Sequence, residues 1–336
     1  MAYTTIDDPE AYFQVKIYTG NGTAIGSGGL AVTLDGDTDM SPDMVWIKGR
    51  STSYSHQLYD TVRGVTKRVL PDLLTAEETD SEALTAFGSD GFTLGSNAGV
   101  NTSSGTHVAW CWKESADAGF DIVSYTGNDT ARTIAHSLSA VPKFIFLRRL
   151  DASTNWSTYH VSTGNGHSDP LNEGEVPTDS TSFWNDTTPT SSVFTVGTIS
   201  NTNNDGSAII AYLFAEKQGF SKFGSYEGNG NANGPFVYLG FKPAFLIYKP
   251  IDANDNWEIH DNKRDTINPM ETLLYANLSN AEGGPSGITD RLDFLSNGFK
   301  ILDSGGHINT SGNTYIYMAF AEAPFVNSNG VPCNAR

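Results

Sequence analysis

Hydrophobic side chains along this chain come in short bursts separated by turn-forming residues. Three bursts are continuous: "MVWI" (Met44 to Ile47), "FIFL" (Phe144 to Leu147) and "FLIY" (Phe245 to Tyr248). Each follows a proline, Pro42, Pro142 or Pro243, and ends on a base six residues after it: Lys48, Arg148 or Lys249. Runs of this length, rich in β-branched and aromatic residues, predict strands buried on both faces rather than helices. Proline cannot donate to a ladder, so it marks where such a strand begins.

Other landmarks keep step with these three runs. Upstream stand "YTGN" (Tyr18 to Asn21), "YTGN" (Tyr125 to Asn128) and "YEGN" (Tyr226 to Asn229), preceded by Phe13, Phe120 and Phe220. Downstream, His56, Trp156 and Trp257 open "HQLYD", "WSTYH" and "WEIHD". Then come segments centred on Phe92, Phe194 and Phe299, and closing strands "AWCWKE", "AYLFAE" and "YMAFAE". Landmarks recurring in one order predict a threefold internal repeat. The expected units are 1–117, 118–217 and 218–325, with a C-terminal tail at 326–336.

About 100 residues of short strands with Ser, Gly and Asn in the turns predict an all-β antiparallel sandwich for each unit. The "YxGN" stretch reads as a bend, with Gly supplying positive φ and Asn bonding its own backbone. A short helix is expected near Asp72 to Ala86, where good helix formers follow an Asp. Spacers are too short for flexible tethers, so three abutting cores are expected, and a pseudo-threefold arrangement is a natural way to pack them.

Composition narrows the function classes. With 38 acidic against 20 basic side chains, the net charge of −18 repels phosphate backbones and anionic lipid. Nucleic-acid binding is therefore disfavoured, and the basic run Arg63, Lys67, Arg68 reads as a solvated loop. No apolar stretch is long enough to insert in a membrane. No secretory leader is visible, so the expected setting is the cytosol of synthesis or a larger particle that leaves it. Cys111 and Cys333 form neither a disulfide framework nor a zinc motif; Cys111 reads as a small buried hydrophobe and Cys333 as part of a mobile tail.

No catalytic constellation stands out. His56 near Asp60 and His260 near Asp261 lack a nucleophile, and glycine loops for phosphate are missing. Acidic "DGDTD" (Asp35 to Asp39) starts like a calcium loop, but the place for the bidentate Glu holds Trp46, so a solvated turn is the better reading. No cofactor is expected. Trp156, Tyr159, Trp257 and His260 sit beside polar residues as a sugar platform would, although their recurrence favours packing. Trp184, in "SFWND", has no counterpart in the other copies and is the better surface candidate.

These landmarks, with "AYFQVKIYTGNG", "SPDMVWIKGRS", "GFTLGSNAGVN" and "YIYMAFAEAPFVNSN", resemble a family of marine bacteriophage proteins, of the cyanophage and pelagiphage type, over about Ala11 to Asn329. The resemblance implies a virion structural or tail-fibre-like protein, non-enzymatic, with lectin-like or jelly-roll-like sandwiches and no catalytic residues to transfer. It implies other virion proteins as partners, oligomeric assembly in the particle and contact with host-surface glycan. Capsid decoration or cement is the alternative, and a glycan-depolymerising enzyme the third reading.

Overall fold

In the computed structural model, which describes residues 2–283 and 291–333, strands dominate and the few helices are single turns. Three main sheets are antiparallel and share one strand order. The first runs Phe13–Thr19, Thr106–Trp112, Met44–Gly49, Gln57–Asp60. The second runs Phe120–Thr126, Ala208–Ala215, Pro142–Arg149, Ser157–His160. The third runs Ser221–Glu227, Thr314–Pro324, Phe241–Pro250, Glu258–Asp261, with Leu274–Tyr275 added at its edge. In each, the closing strand lies between the opening strand and the strand that carries the continuous apolar run. Proline marks the start of that strand in the first two sheets only; in the third, Pro243 lies inside Phe241–Pro250, where the register with the closing strand shifts around it and a missing N–H is tolerated.

A small outer sheet covers each main sheet. Leu30–Thr33, Gly91–Leu94 and Leu84–Gly88 form the first; Arg132–Ala135 and Val193–Val196 the second; Phe236–Tyr238, Gly298–Ile301 and Leu292–Leu295 the third. Alternation along the continuous runs explains why they are apolar on both faces. Val45 and Ile47 pack with Ala109, Cys111, Phe92 and Leu94 between the first main sheet and its cover. Ile145 and Leu147 pack likewise with Leu213 and Phe194.

The opposite faces meet at the centre of the molecule. Met44, Trp46, Phe144, Phe146, Phe245 and Ile247 belong to one continuous core. Trp112, Phe214 and Phe320, at matching positions of the three closing strands, form a triangle of rings with centroids 6.4, 5.8 and 5.8 Å apart. Three separate abutting cores were the expectation; instead one central core is shared. Each main sheet has two apolar faces and its cover satisfies only one, so the other is buried against the remaining sheets.

Contacts around this centre link every pair of sheets. Trp156 Nε1 donates to Leu70 O at 3.1 Å, Trp257 Nε1 to Pro170 O at 3.2 Å, and His56 Nε2 to Tyr275 O at 2.8 Å. Tyr212 donates to Asp60 at 2.6 Å and Trp110 Nε1 to Asp261 at 3.0 Å, while His160 Nε2 reaches Tyr317 O at 3.1 Å. The contacts run first to third, second to first and third to second, and close a ring.

"YxGN" is indeed the end of the opening strand. Each Tyr hydroxyl donates to a carbonyl of a one-turn helix: Tyr18 to Val100, Tyr125 to Thr202 and Tyr226 to Ile308. The helical turns Ala98–Asn101, Ser200–Asn203 and Gly306–Asn309 end on a buried Asn whose side chain accepts from the backbone N–H of Asn21, Asn128 or Asn229. The glycine has a different cause from the one expected. None of Gly20, Gly127 and Gly228 has positive φ; a Cβ there would lie 2.2, 2.0 and 2.2 Å from a carbonyl oxygen of the turn. Close backbone approach, not handedness, requires glycine.

Three local expectations fail. The helix expected at Asp72 to Ala86 is absent: Glu78–Thr79 and Leu84–Gly88 are strands. Tertiary contacts override propensity there, with Leu84 turned into the core between the first outer sheet and its main sheet and the carbonyls of Leu74 and Thr75 taken by Arg148. Arg63 is not solvated; its guanidinium is buried on Asp60 at 2.5 Å, and Arg68 pairs with Glu78 at 2.7 Å. Residues 326–333 of the tail dock rather than hang free, through Ser328 N to Asp7 at 2.6 Å and Cys333 N to Phe325 O at 3.0 Å; 334–336 lie outside the described residues. No helix among the described residues is long and apolar enough to cross a membrane.

Candidate functional site

The structure withdraws all five residues that the sequence offers as ligand contacts. Trp156, Trp257 and Trp184 are 0, 1 and 2% exposed, and Tyr159 and His260 are buried with them. Trp156 and Trp257 spend their Nε1 donors on the ring junctions described above. Trp184 fills the second outer core, edge-on to Tyr159 at 6.0 Å, with Nε1 donating to His167 O at 2.9 Å. His260 stacks on Tyr248. A buried Trp needs a partner for its N–H, and a carbonyl supplies one in each case.

The recurrent bases are consumed in the same way. Lys48, Arg148 and Lys249 are all fully buried. Lys249 Nζ lies 3.1 Å from Asp169, and Lys48 Nζ donates to Gly49 O at 2.9 Å and Thr52 O at 3.1 Å. Burial pushes Lys48 down to about 8, with Asp72 and Glu282 opposing, and pushes His160 down to about 4 and His260 to about 3. Burial, with Lys48 nearby, also holds His56 well below the usual imidazole range, so the imidazoles near Asp60 and Asp261 read as packing groups. Those two carboxylates hold Arg63 and Arg264, each at 2.5 Å. Asp35 to Asp39 lie exposed, with Asp35 paired to Lys16 at 3.1 Å, so the acidic stretch is a solvated turn as expected.

Shallow grooves open at two ring junctions. One of about 400 Å³ is lined by Ser162, Thr163, His167, Val176, Pro177, Ile251 and Asp252. Another of about 380 Å³ includes Arg50, Thr106, Thr272 and Glu282. Their charged groups already have partners: Arg50 pairs with Glu282 at 2.8 Å, and Asp252 accepts from Thr314 N at 2.5 Å.

An aromatic surface stands apart on the third outer sheet. Phe236 and Tyr238 are 46 and 47% exposed, while Val237 between them is buried. Alternation puts both rings on the outer face, about 7 Å apart along the strand. In register with Phe236 lie Lys300 and then Asp293, so one row across the sheet carries a ring, an ammonium and a carboxylate. Burial pushes the Asp293 carboxyl up in pKa. Lys300 is held by Asn233 Oδ1 at 2.8 Å, at the end of the "NGNANG" loop whose Asn side chains cap its own backbone. The Lys222 ammonium sits 5.3 Å from the Tyr238 ring centroid, and Tyr3 and Tyr238 share a hydroxyl contact of 3.1 Å.

The other two outer sheets lack this surface. Val32, Ile134 and Val237 face Phe92, Phe194 and Phe299 in identical register. Where Val237 is flanked by Phe236 and Tyr238, Val32 has Ala31 and Thr33, and Ile134 has Thr133 and Ala135. The signal was thus available in "FVY", as aromatics at positions where the matching strands carry small or hydroxyl side chains.

None of the curated proteins compared with the chain matches it. A family model described as "Domain of unknown function (DUF7483)" matches residues 8–324, nearly the whole sequence, and the chain therefore belongs to that family.

Proposed function

We propose that the chain is three copies of one β unit closed into a ring, and that it is a non-catalytic structural component of a phage particle which contacts host-surface glycan through Phe236 and Tyr238. The observation that carries the binding role is the contrast between matching positions. Recurrent Trp, His, Asp, Lys and Arg side chains are buried, whereas, among the described residues, the exposed aromatic pair is found on one outer sheet. Sugar recognition needs an apolar ring face for the pyranose and fixed polar groups for its hydroxyls. Phe236 and Tyr238 provide the first; Lys300, Asp293 and the Asn-rich loop provide the second. The rigid ring supports the structural role, since it presents this face without an ordering cost. The particle setting rests on the sequence resemblance to phage structural proteins.

A glycan array probed with the intact chain tests the binding role. Retention of a sugar by the wild type and its loss in the Phe236→Ala, Tyr238→Ala double variant is the expected result. Binding that survives the double change would place the ligand elsewhere, and a blank array would remove the glycan. Label at the tail of purified virions supports the attachment role; label spread over the shell supports capsid decoration.

A further inference from the structure

The third main sheet carries a second feature without counterpart in the other two. Asp255 precedes Trp257 by two residues and Glu258 follows it, while His307 lies in the helical turn Gly306–Asn309. One ligand atom from each of these three side chains can be chosen so that all lie within 4.8 Å of one another. Glu258 is fully buried; the Asp255 and His307 side chains are 14 and 28% exposed, so the cluster has a protein floor and an open side. His307 Nδ1 lies 2.5 Å from both oxygens of Asp255, and Tyr248 donates its hydroxyl to Glu258.

Matching positions show that this grouping is no by-product of the fold. Counted from Trp156 and His56, the places of Asp255 and Glu258 hold Thr154 and Ser157, then Tyr54 and Gln57. Counted from the terminal Asn of the helical turn, the place of His307 holds Asn201 and Gly99, and Tyr248 falls on Leu147 and Ile47. Three ligating side chains and the hydroxyl that orients one of them thus occur together around the third main sheet, where the matching places around the other two hold neutral residues. The same backbone folds without them, so packing does not require them.

We infer that Asp255, Glu258 and His307 form a binding site for a first-row divalent metal ion of the zinc type. One imidazole nitrogen with two carboxylates is a donor set for such an ion, with a fourth position left to water. A calcium ion would ask for six to eight oxygens instead. Ligands about 2.1 Å from a tetrahedral ion stand roughly 3.4 Å apart. Binding therefore separates His307 from Asp255 by slightly under 1 Å and draws Glu258 inward, within reach of side-chain rotation. Tyr248 holds the buried carboxylate in place, as outer hydrogen bonds commonly do at metal sites. The ion would tie the turn before Glu258 to the Gly306–Asn309 helical turn. This lies beside the junction where Val176 N donates to Asn254 Oδ1 at 3.2 Å.

The test is titration of the intact, chelator-treated chain with Zn²⁺ by calorimetry, together with Co²⁺ absorption as a geometric readout. Expected are one saturable site per chain, a tetrahedral Co²⁺ spectrum and a rise in melting temperature on adding Zn²⁺. His307→Ala, a part-exposed change, should keep the metal-free melting temperature while weakening binding at least tenfold and cancelling the rise. Asp255→Asn, nearly isosteric, gives the same result if the folding of the first variant is disturbed. Absence of a saturable site, or Zn²⁺ binding equal in wild type and both variants, would leave an Asp–His ion pair only and overturn the inference.

Discussion

The third outer sheet and its two counterparts share one strand pair and the same buried row, Val or Ile against Phe. They differ on the row facing outward. Buried positions repeat because each must fill the same space against the same neighbours, and a changed volume there is felt directly. Outward positions are released from that constraint, so side chains there can vary without disturbing the packing. Similarity between the matching strands therefore follows from packing, and the proposed sugar contact is placed where they differ.

The largest expected effect tests the architectural side. Phe245 packs on Phe13, Trp110, Trp112 and Phe320, drawn from two main sheets. Phe245→Ala should cost about 3–5 kcal/mol and lower one cooperative unfolding transition of the whole chain. A separate early transition confined to the last third would break the shared core into independent units.

His160 gives the next effect, through pH. Its folded pKa of about 4 is depressed by burial from the ordinary 6.5, so its stabilising contribution is present above pH 6.5 and lost as pH falls toward 4. The stability gap between wild type and His160→Asn should close by about 1.4 kcal/mol per pH unit across that window. Urea melts at pH 7, 6 and 5 measure it. A gap independent of pH would mean that the imidazole is not held neutral.

Gly127→Ala sharpens the comparison at the repeated bend. A Cβ there would sit 2.0 Å from Asn204 O, and relieving that contact should cost about 1–3 kcal/mol. An unchanged melting temperature would show that the helical turn moves freely. At the small end, Phe236→Thr with Tyr238→Thr makes the third outer face resemble the first two. It should alter stability by no more than about 0.5 kcal/mol while abolishing sugar retention. A large loss of stability would turn the aromatic pair into part of the architecture.

Sequence alone determined the strands, because a continuous apolar run behind a proline has few other uses, and it located the bends, because Asn beside Gly closes a turn by local bonds. It also marked which positions correspond between the three stretches of chain. Tertiary structure alone decided what those positions do. Trp156 and Trp257 look the same in sequence whether they wait for a sugar or cap Leu70 and Pro170, since the carbonyls that take their N–H groups lie over eighty residues away. Asp72 to Ala86 reads as helix until Leu84 finds a core built by other strands. Local pattern encodes the backbone hydrogen bonds a segment can make by itself, whereas burial and pairing are settled by chain that is distant in sequence.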